Sequence, residues 1–140
     1  MKKRTQFLLV IVTTLWFSRL SLGASLKGDN LNKVYKGTAI FHVKPNKIQD
    51  FRSEVLKIIG PTRRERDCIS YEAFQVLNEN GLGTPKFEFH ELWKSKHSMM
   101  VDHKENTKHM KHFFQTIKLD EKDSWIEKNE IFGSDVEELQ

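Results

Sequence analysis

The 140-residue chain holds one cysteine, three prolines and two tyrosines, and it has no acidic residue before Asp29. A single cysteine, Cys68, excludes an internal disulfide. A domain this small must then rely on its apolar core, with a partner subunit as a further source of stability. No phosphate-cradling loop is present either, because Gly81-Leu82-Gly83 follows a strand pattern but opens no helix. The apolar run Phe7 to Phe17 covers eleven residues, whereas a bilayer-spanning helix needs about twenty.

That short run has a different reading. It follows the basic cluster Lys2-Lys3-Arg4 and precedes the small residues around Ser21-Leu22-Gly23-Ala24, the order of a secretory signal. Cleavage after Gly23 and after Ala24 are both compatible with the pattern. An uncleaved anchor and a core helix are the competing readings, but a capless apolar run behind three charges suits a packed helix poorly. The expectation is an exported protein, periplasmic or secreted, with no membrane span once residues 1–24 are removed. Lys2, Lys3, Arg4 and Arg19 are four of the 23 Lys and Arg residues, so the remainder carries 19 basic against 19 acidic side chains. The pI near 9.2 therefore belongs to the precursor, and net charge lends no support to a nucleic-acid partner.

Ten phenylalanines and three tryptophans supply the core. After a polar linker, residues 25–33, alternation places Tyr35, Gly37, Ala39, Phe41 and Val43 on one face of a strand. Ile48, Phe51, Val55 and Ile58 then recur at helical steps, and Pro61 predicts a break or a kink before a charged turn, Thr62 to Asp67. A second strand runs from Cys68 to Leu77, with Ile69, Tyr71 and Ala73 on one side. A third carries Phe87, Phe89, Glu91 and Trp93 on one face and Glu88, His90 and Leu92 on the other. Helical spacing returns over Ser95 to Lys118, with a break at Asn106-Thr107, and the two methionines at its start suggest an adaptable apolar wall. A last strand is drawn from Ser124 to Phe132, followed by an acidic tail, residues 133–140. This order predicts an α+β, ferredoxin-like βαββαβ domain over residues 34–132, an antiparallel sheet with both helices on one face. The opposite face keeps apolar residues on its first three strands, which predicts a homodimer formed by packing two sheets, with an intramolecular lid as the alternative cover.

The run Phe41-His42-Val43-Lys44-Pro45, the phrase Gly60-Pro61-Thr62-Arg63-Arg64-Glu65, then Cys68-Ile69-Ser70-Tyr71-Glu72, Phe89-His90-Glu91-Leu92-Trp93, and finally His103 and His109 before Phe113 form an ordered set. Over residues 34–118 this set resembles the antibiotic biosynthesis monooxygenase domain. The resemblance implies a dimeric α/β barrel. It also implies oxygenase chemistry on aromatic polyketides or quinols without metal or flavin, with haem-degrading and non-oxygenase relatives. Three positions depart from the pattern: Asp67 stands where Gly is common, His90 where an apolar residue is common, and Phe89 where the polyketide oxygenases carry Asn.

Glu91 and Trp93 lie two apart on a strand and face the same side. With Phe87 and Phe89 they form an aromatic wall ending in a carboxylate, suited to a flat aromatic substrate. His103, and after it His109, is the candidate base. A neutral imidazole beside such a wall can take a phenolic proton, and the resulting anion can pass an electron to dioxygen. Tyr71, Phe89, His109 and Met99 are the candidate substrate contacts. Each has a structural alternative: Trp93 and Tyr71 as core, Glu91 as an ion-pair partner, the histidines bonded to backbone or to a partner chain. Glu105, His109 and His112 stand at steps that share a helix face, but no further ligand supports them, and no metal is expected. Cys68 reads as a buried, inert thiol.

The expectation is thus a cofactor-free monooxygenase whose partners are a small aromatic or quinol-like molecule and dioxygen. A non-catalytic small-molecule or haem binding module of the same fold is the alternative. An isomerase or hydrolase-like activity on a small sugar-derived signal, with Glu91 and a histidine as acid and base, is the third reading.

Overall fold

A computed structural model describes residues 33–137. The expected signal, residues 1–24, and all but the last residue of the linker lie outside the described residues. The elements are β1 (Lys33–Val43), a single 3-10 turn (Pro45–Lys47), α1 (Ile48–Arg63), β2 (Cys68–Leu77), β3 (Gly83–Trp93), a π-helical turn (Ser98–His103), α2 (Lys108–Ile117) and β4 (Ile126–Glu137). The four strands form one sheet in the order β2-β3-β1-β4, every neighbouring pair antiparallel. This is the expected ferredoxin-like α+β arrangement, with both helices packed on one face.

The strand faces follow the alternation closely. Tyr35, Ala39, Phe41 and Val43 of β1 and Phe87, Phe89 and Trp93 of β3 are buried in one core with Phe51, Val55 and Ile58 of α1 and Met110, Phe113 and Ile117 of α2. Phe51 is its hub, with ring centroids 5.8 Å from Phe41, 4.8 Å from Phe87 and 5.7 Å from Phe113. Gly37 serves a close approach. A Cβ there would run into the sulfur and terminal methyl of Met99, so its absence lets the π-helical turn settle onto the sheet.

Four local expectations need correction. Pro61 does not break α1 but lies inside its last turn. A proline there removes one hydrogen bond near an end that is about to stop, and Arg64 and Glu65 N–H close the helix on the Pro61 and Thr62 carbonyls at 3.1 and 3.0 Å. Thr62, read as part of a charged turn, is instead helical and fully buried. Second, β2 carries a register shift between Cys68 and Ser70. The extra residue turns Ile69 outward (43 % exposed) while Cys68 packs against the core with Tyr71. Third, the predicted break at Asn106-Thr107 is present, but the segment before it is π-helical; Thr107 caps α2 by accepting from Met110 N–H at 3.4 Å. Fourth, β4 runs past Gly133 to Glu137, and Gly133, Asp135 and Val136 pair with Gly37, Tyr35 and Val34. Residues 133–137 of the expected acidic tail are therefore strand, because β1 continues alongside and offers them hydrogen-bonding partners.

Candidate functional site

Between the sheet and α2 lies a cavity of about 40 Å³. Its strand side is Ala39, Phe41, Tyr71, Phe89 and Glu91, its helix side is Met110, Phe113 and Phe114, and Lys104 and Ile131 complete it. That volume holds about two or three waters. An aromatic ring fits only if side chains yield. Met110, unbranched and flexible, and Phe114, only partly buried, are the walls best able to do so.

Glu91 is the buried charge of this cavity, 4 % exposed. Strand alternation puts Glu91 and Trp93 on the same face, and the Trp93 Nε1–H donates to Glu91 Oε2 at 2.9 Å. Burial raises the carboxyl above its ordinary range, opposed by the neighbouring Lys104 ammonium and by the Trp93 hydrogen bond. Lys104 is shifted the other way: burial lowers it and Glu91 partly restores it.

Behind Trp93 stands a second group. The Trp93 and His103 rings lie 4.6 Å apart at 34°, and the Tyr71 ring is 5.8 Å from His103. His103 is fully buried and places Nδ1 at 2.7 Å from Glu65 Oε1. His109 brings Nε2 to 3.0 Å from the same oxygen and 3.2 Å from the Thr62 hydroxyl. Burial, with the charges of Glu91 and Asp102, pushes Glu65 up to about 7. Burial, with His109 and Lys104, pushes His103 down to about 3. His109 is lowered by burial and by Arg64. All of these shifts favour uncharged partners, so on folding the cluster moves a proton from imidazole to carboxyl.

The signs predict a measurable cancellation. Glu65, raised in the fold, adds stability that is complete below about pH 4.5 and lost as pH rises through about 7. His103, depressed in the fold, adds stability that is complete above about 6.5 and lost as pH falls through about 3. Between pH 4.5 and 6.5 the two slopes oppose each other, one proton against one. Glu65→Gln should expose the histidine slope. Relative to wild type, its unfolding free energy should rise by about 1 kcal/mol for each unit by which pH increases over that interval, the one-proton limit being about 1.4. Denaturant titrations at three pH values check this, and parallel profiles for the two proteins would reject the shared-proton account.

Glu65 Oε1, His103 Nδ1 and His109 Nε2 lie within 4.8 Å of one another, close enough to converge on a transition metal. A ligating imidazole ordinarily donates its other nitrogen to a partner. His103 Nε2 is instead buried without one, the only such side-chain atom among the described residues. The His103 hydrogen bond and the His109 contact to Glu65, with the Thr62 hydrogen bond to His109, account for the cluster by themselves. The helical trio Glu105, His109 and His112 does not assemble: His112 approaches Glu54 at 4.0 Å while His109 turns to Glu65.

Of the residues expected at a site, Glu91, Tyr71 and Phe89 line the cavity; Trp93 backs it, joining Glu91 to His103. His103 and His109 belong to the Glu65 cluster and do not line the cavity. Met99 is buried over Gly37. Cys68 is half-buried, its thiol pushed up to about 11 by burial and by Glu65 and Glu91, which suits the inert reading. Lys104 and Glu65 were not found by sequence reasoning. Lys104 directly follows a singled-out histidine, but Glu65 is 38 residues from His103 and no periodicity links them.

The chain is similar in structure to a conserved protein from Methanosarcina mazei, with 26 % identity and a TM-score of 0.59 over 75 % of this chain and 94 % of that one. It is also similar to a protein from Pseudomonas aeruginosa, with 16 % identity and a TM-score of 0.59 over 79 % and 98 %. A structure named as an antibiotic biosynthesis monooxygenase matches with 19 % identity and a TM-score of 0.56 over 76 % and 99 %. No curated protein matches the sequence at significant similarity. The family model described as antibiotic biosynthesis monooxygenase matches residues 38–116, the span that runs from the second half of β1 into α2 and holds the cavity carboxylate and both clustered histidines, and the chain belongs to that family.

Proposed function

We propose that this protein is an exported, homodimeric monooxygenase that oxidises a small aromatic or quinol-like molecule with dioxygen and needs neither metal nor flavin. The observation that carries this reading is Glu91, a carboxylate held by Trp93 Nε1 inside an aromatic-walled cavity. Burial makes it a stronger base than an exposed glutamate. It takes a proton from an activated phenolic ring system, and the anion so formed is rich enough in electrons to reduce dioxygen. For a ring methylene, radical and superoxide combine to a peroxide anion, Glu91 returns the proton, and loss of water leaves a carbonyl. One CH2 and one O2 become one C=O and one H2O, with all four electrons drawn from the substrate. Glu91 replaces His103 as the first candidate base in this reading, because the carboxylate reaches the cavity. His103 supports it through contact with the Trp93 ring.

Dioxygen consumption by the purified protein with a panel of quinols and polyphenols tests the proposal. Uptake that depends on both substrate and Glu91 is expected; none across the panel would overturn it. Thermal stabilisation by the same compounds without uptake would instead support the non-catalytic binding module. Stabilisation by haem, with loss of the pigment under reductant, would support a haem-degrading relative.

The second subunit is supported by the outer face of the sheet, where Phe74 on one edge strand and Phe132 on the other are 50 % and 56 % exposed. Lys86–Glu88 and Lys128–Glu130 pairs at 2.6 and 2.8 Å share that face. An apolar patch crossed by internally neutralised charges suits contact with a second copy. Phe132→Asp should shift the mass in sedimentation equilibrium from dimer to monomer without loss of helicity. An unchanged mass would place the interface elsewhere. Export is supported by the basic, apolar and small-residue order of residues 1–24.

A further inference from the structure

We infer that Lys104 is the anion-holding group of the cavity, and that it restricts the ligand to molecules bearing an ionisable hydroxyl on their aromatic ring. The inference rests on the reading of the cavity as the substrate site.

Lys104 follows His103 at the end of the π-helical turn. The two side chains diverge, His103 to Glu65 and Lys104 to the cavity. Lys104 and Glu91 are the only charged side chains among the cavity-lining residues. They influence one another electrostatically, and Lys104, which forms no side-chain hydrogen bond or ion pair among the described residues, is the only lysine of the cavity wall. Lys104 is half-buried, and an ammonium partly withdrawn from water gains from an anion placed beside it. Glu91 is similarly incomplete. Oε2 accepts from Trp93, and Oε1 has no hydrogen-bond partner among the described residues.

One ligand group satisfies both. A phenolic hydroxyl donates its hydrogen to Glu91 Oε1 while its oxygen accepts from Lys104 Nζ. When the proton crosses to Glu91, the negative charge moves from the carboxylate to the ligand oxygen beside the ammonium. The cavity holds one positive and one negative charge before the transfer and after it. Without Lys104, the phenolate would be an unpaired anion among phenylalanines, and ionisation would be suppressed. A neutral hydrocarbon leaves both groups unsatisfied, and a cationic ligand places like charge beside the ammonium.

4-Nitrophenol, whose phenolate has its own visible absorption band, reads this directly, with nitrobenzene as the neutral isostere. Bound to the full-length protein, 4-nitrophenol should contain about tenfold more phenolate at a given pH than in free solution, one pKa unit. Lys104→Met should abolish that excess and leave nitrobenzene binding intact, which also shows that the variant is folded. Lys104→Arg should retain it. Failure of 4-nitrophenol to bind, binding without extra phenolate, or an excess that survives in Lys104→Met would each overturn the inference. Oxygen uptake is a separate readout. Extra phenolate without uptake in any quinol would sustain Lys104 and reject the oxygenase, whereas uptake on ligands without a hydroxyl would do the reverse.

Discussion

Glu91→Gln should lower substrate-dependent dioxygen uptake by about 10²- to 10⁴-fold, the usual contribution of a positioned proton acceptor. Glutamine has nearly the same shape and can still accept from Trp93 Nε1 through its carbonyl oxygen, so the cavity wall is retained while the capacity to take a proton is lost. Loss of stability would not explain the result. The Glu91 carboxyl is raised by burial, so its contribution to stability declines as pH rises through the folded value, and a neutral amide escapes that decline. Glu91→Gln should therefore be at least as resistant to denaturant as wild type at neutral pH. The pH profile supplies a second check. A base works when deprotonated, so the wild-type rate should climb with pH through a value above the ordinary carboxylate range, and the residual rate of the variant should lose that rise. Uptake within threefold of wild type would remove Glu91 from the mechanism.

Phe51→Ala should lower the unfolding free energy by about 3–5 kcal/mol, the range for truncating a buried aromatic ring. Phe51 is fully buried and contacts rings from β1, β3 and α2, so its removal opens a void that no single element can close. For a domain of about 100 residues each kcal/mol moves the melting temperature by roughly 4–8 °C, and the shift is large enough for calorimetry or a denaturant titration. Two of its neighbours, Phe41 and Phe113, also line the cavity. The variant should thus bind aromatic ligands more weakly at temperatures where it remains folded. A loss below about 1 kcal/mol would mean that the three aromatic contacts do not hold the layers together as described.

Much of this arrangement was legible along the chain. The period of two in Cys68 to Leu77 and Phe87 to Trp93 identified two strands and the side on which Tyr71, Phe89, Glu91 and Trp93 lie. The period in Ile48 to Ile58 identified α1, and Asn106-Thr107 marked the start of α2. What escaped was local in origin but settled by neighbours. Pro61 is accommodated because the helix ends two residues later. Ile69 turns outward because Cys68 pairs with Trp93 in a shifted register. β4 continues past Gly133 because β1 extends alongside it.

The candidate site divides along the same line. Alternation by itself determined that Glu91 shares a face with aromatic side chains, since successive strand residues must point to opposite sides of the sheet. Composition by itself determined that the basic excess resides in the first 24 residues and that no disulfide staples the fold. Only the tertiary structure decided that Glu65 meets His103 and His109, that both histidines stand behind the cavity, and that Lys104 lines it together with Glu91. Those contacts join a helix-terminal loop, a strand, a π-helical turn and a second helix. Periodicity reports the direction of a side chain from its own element; which side chain it meets depends on how the elements pack.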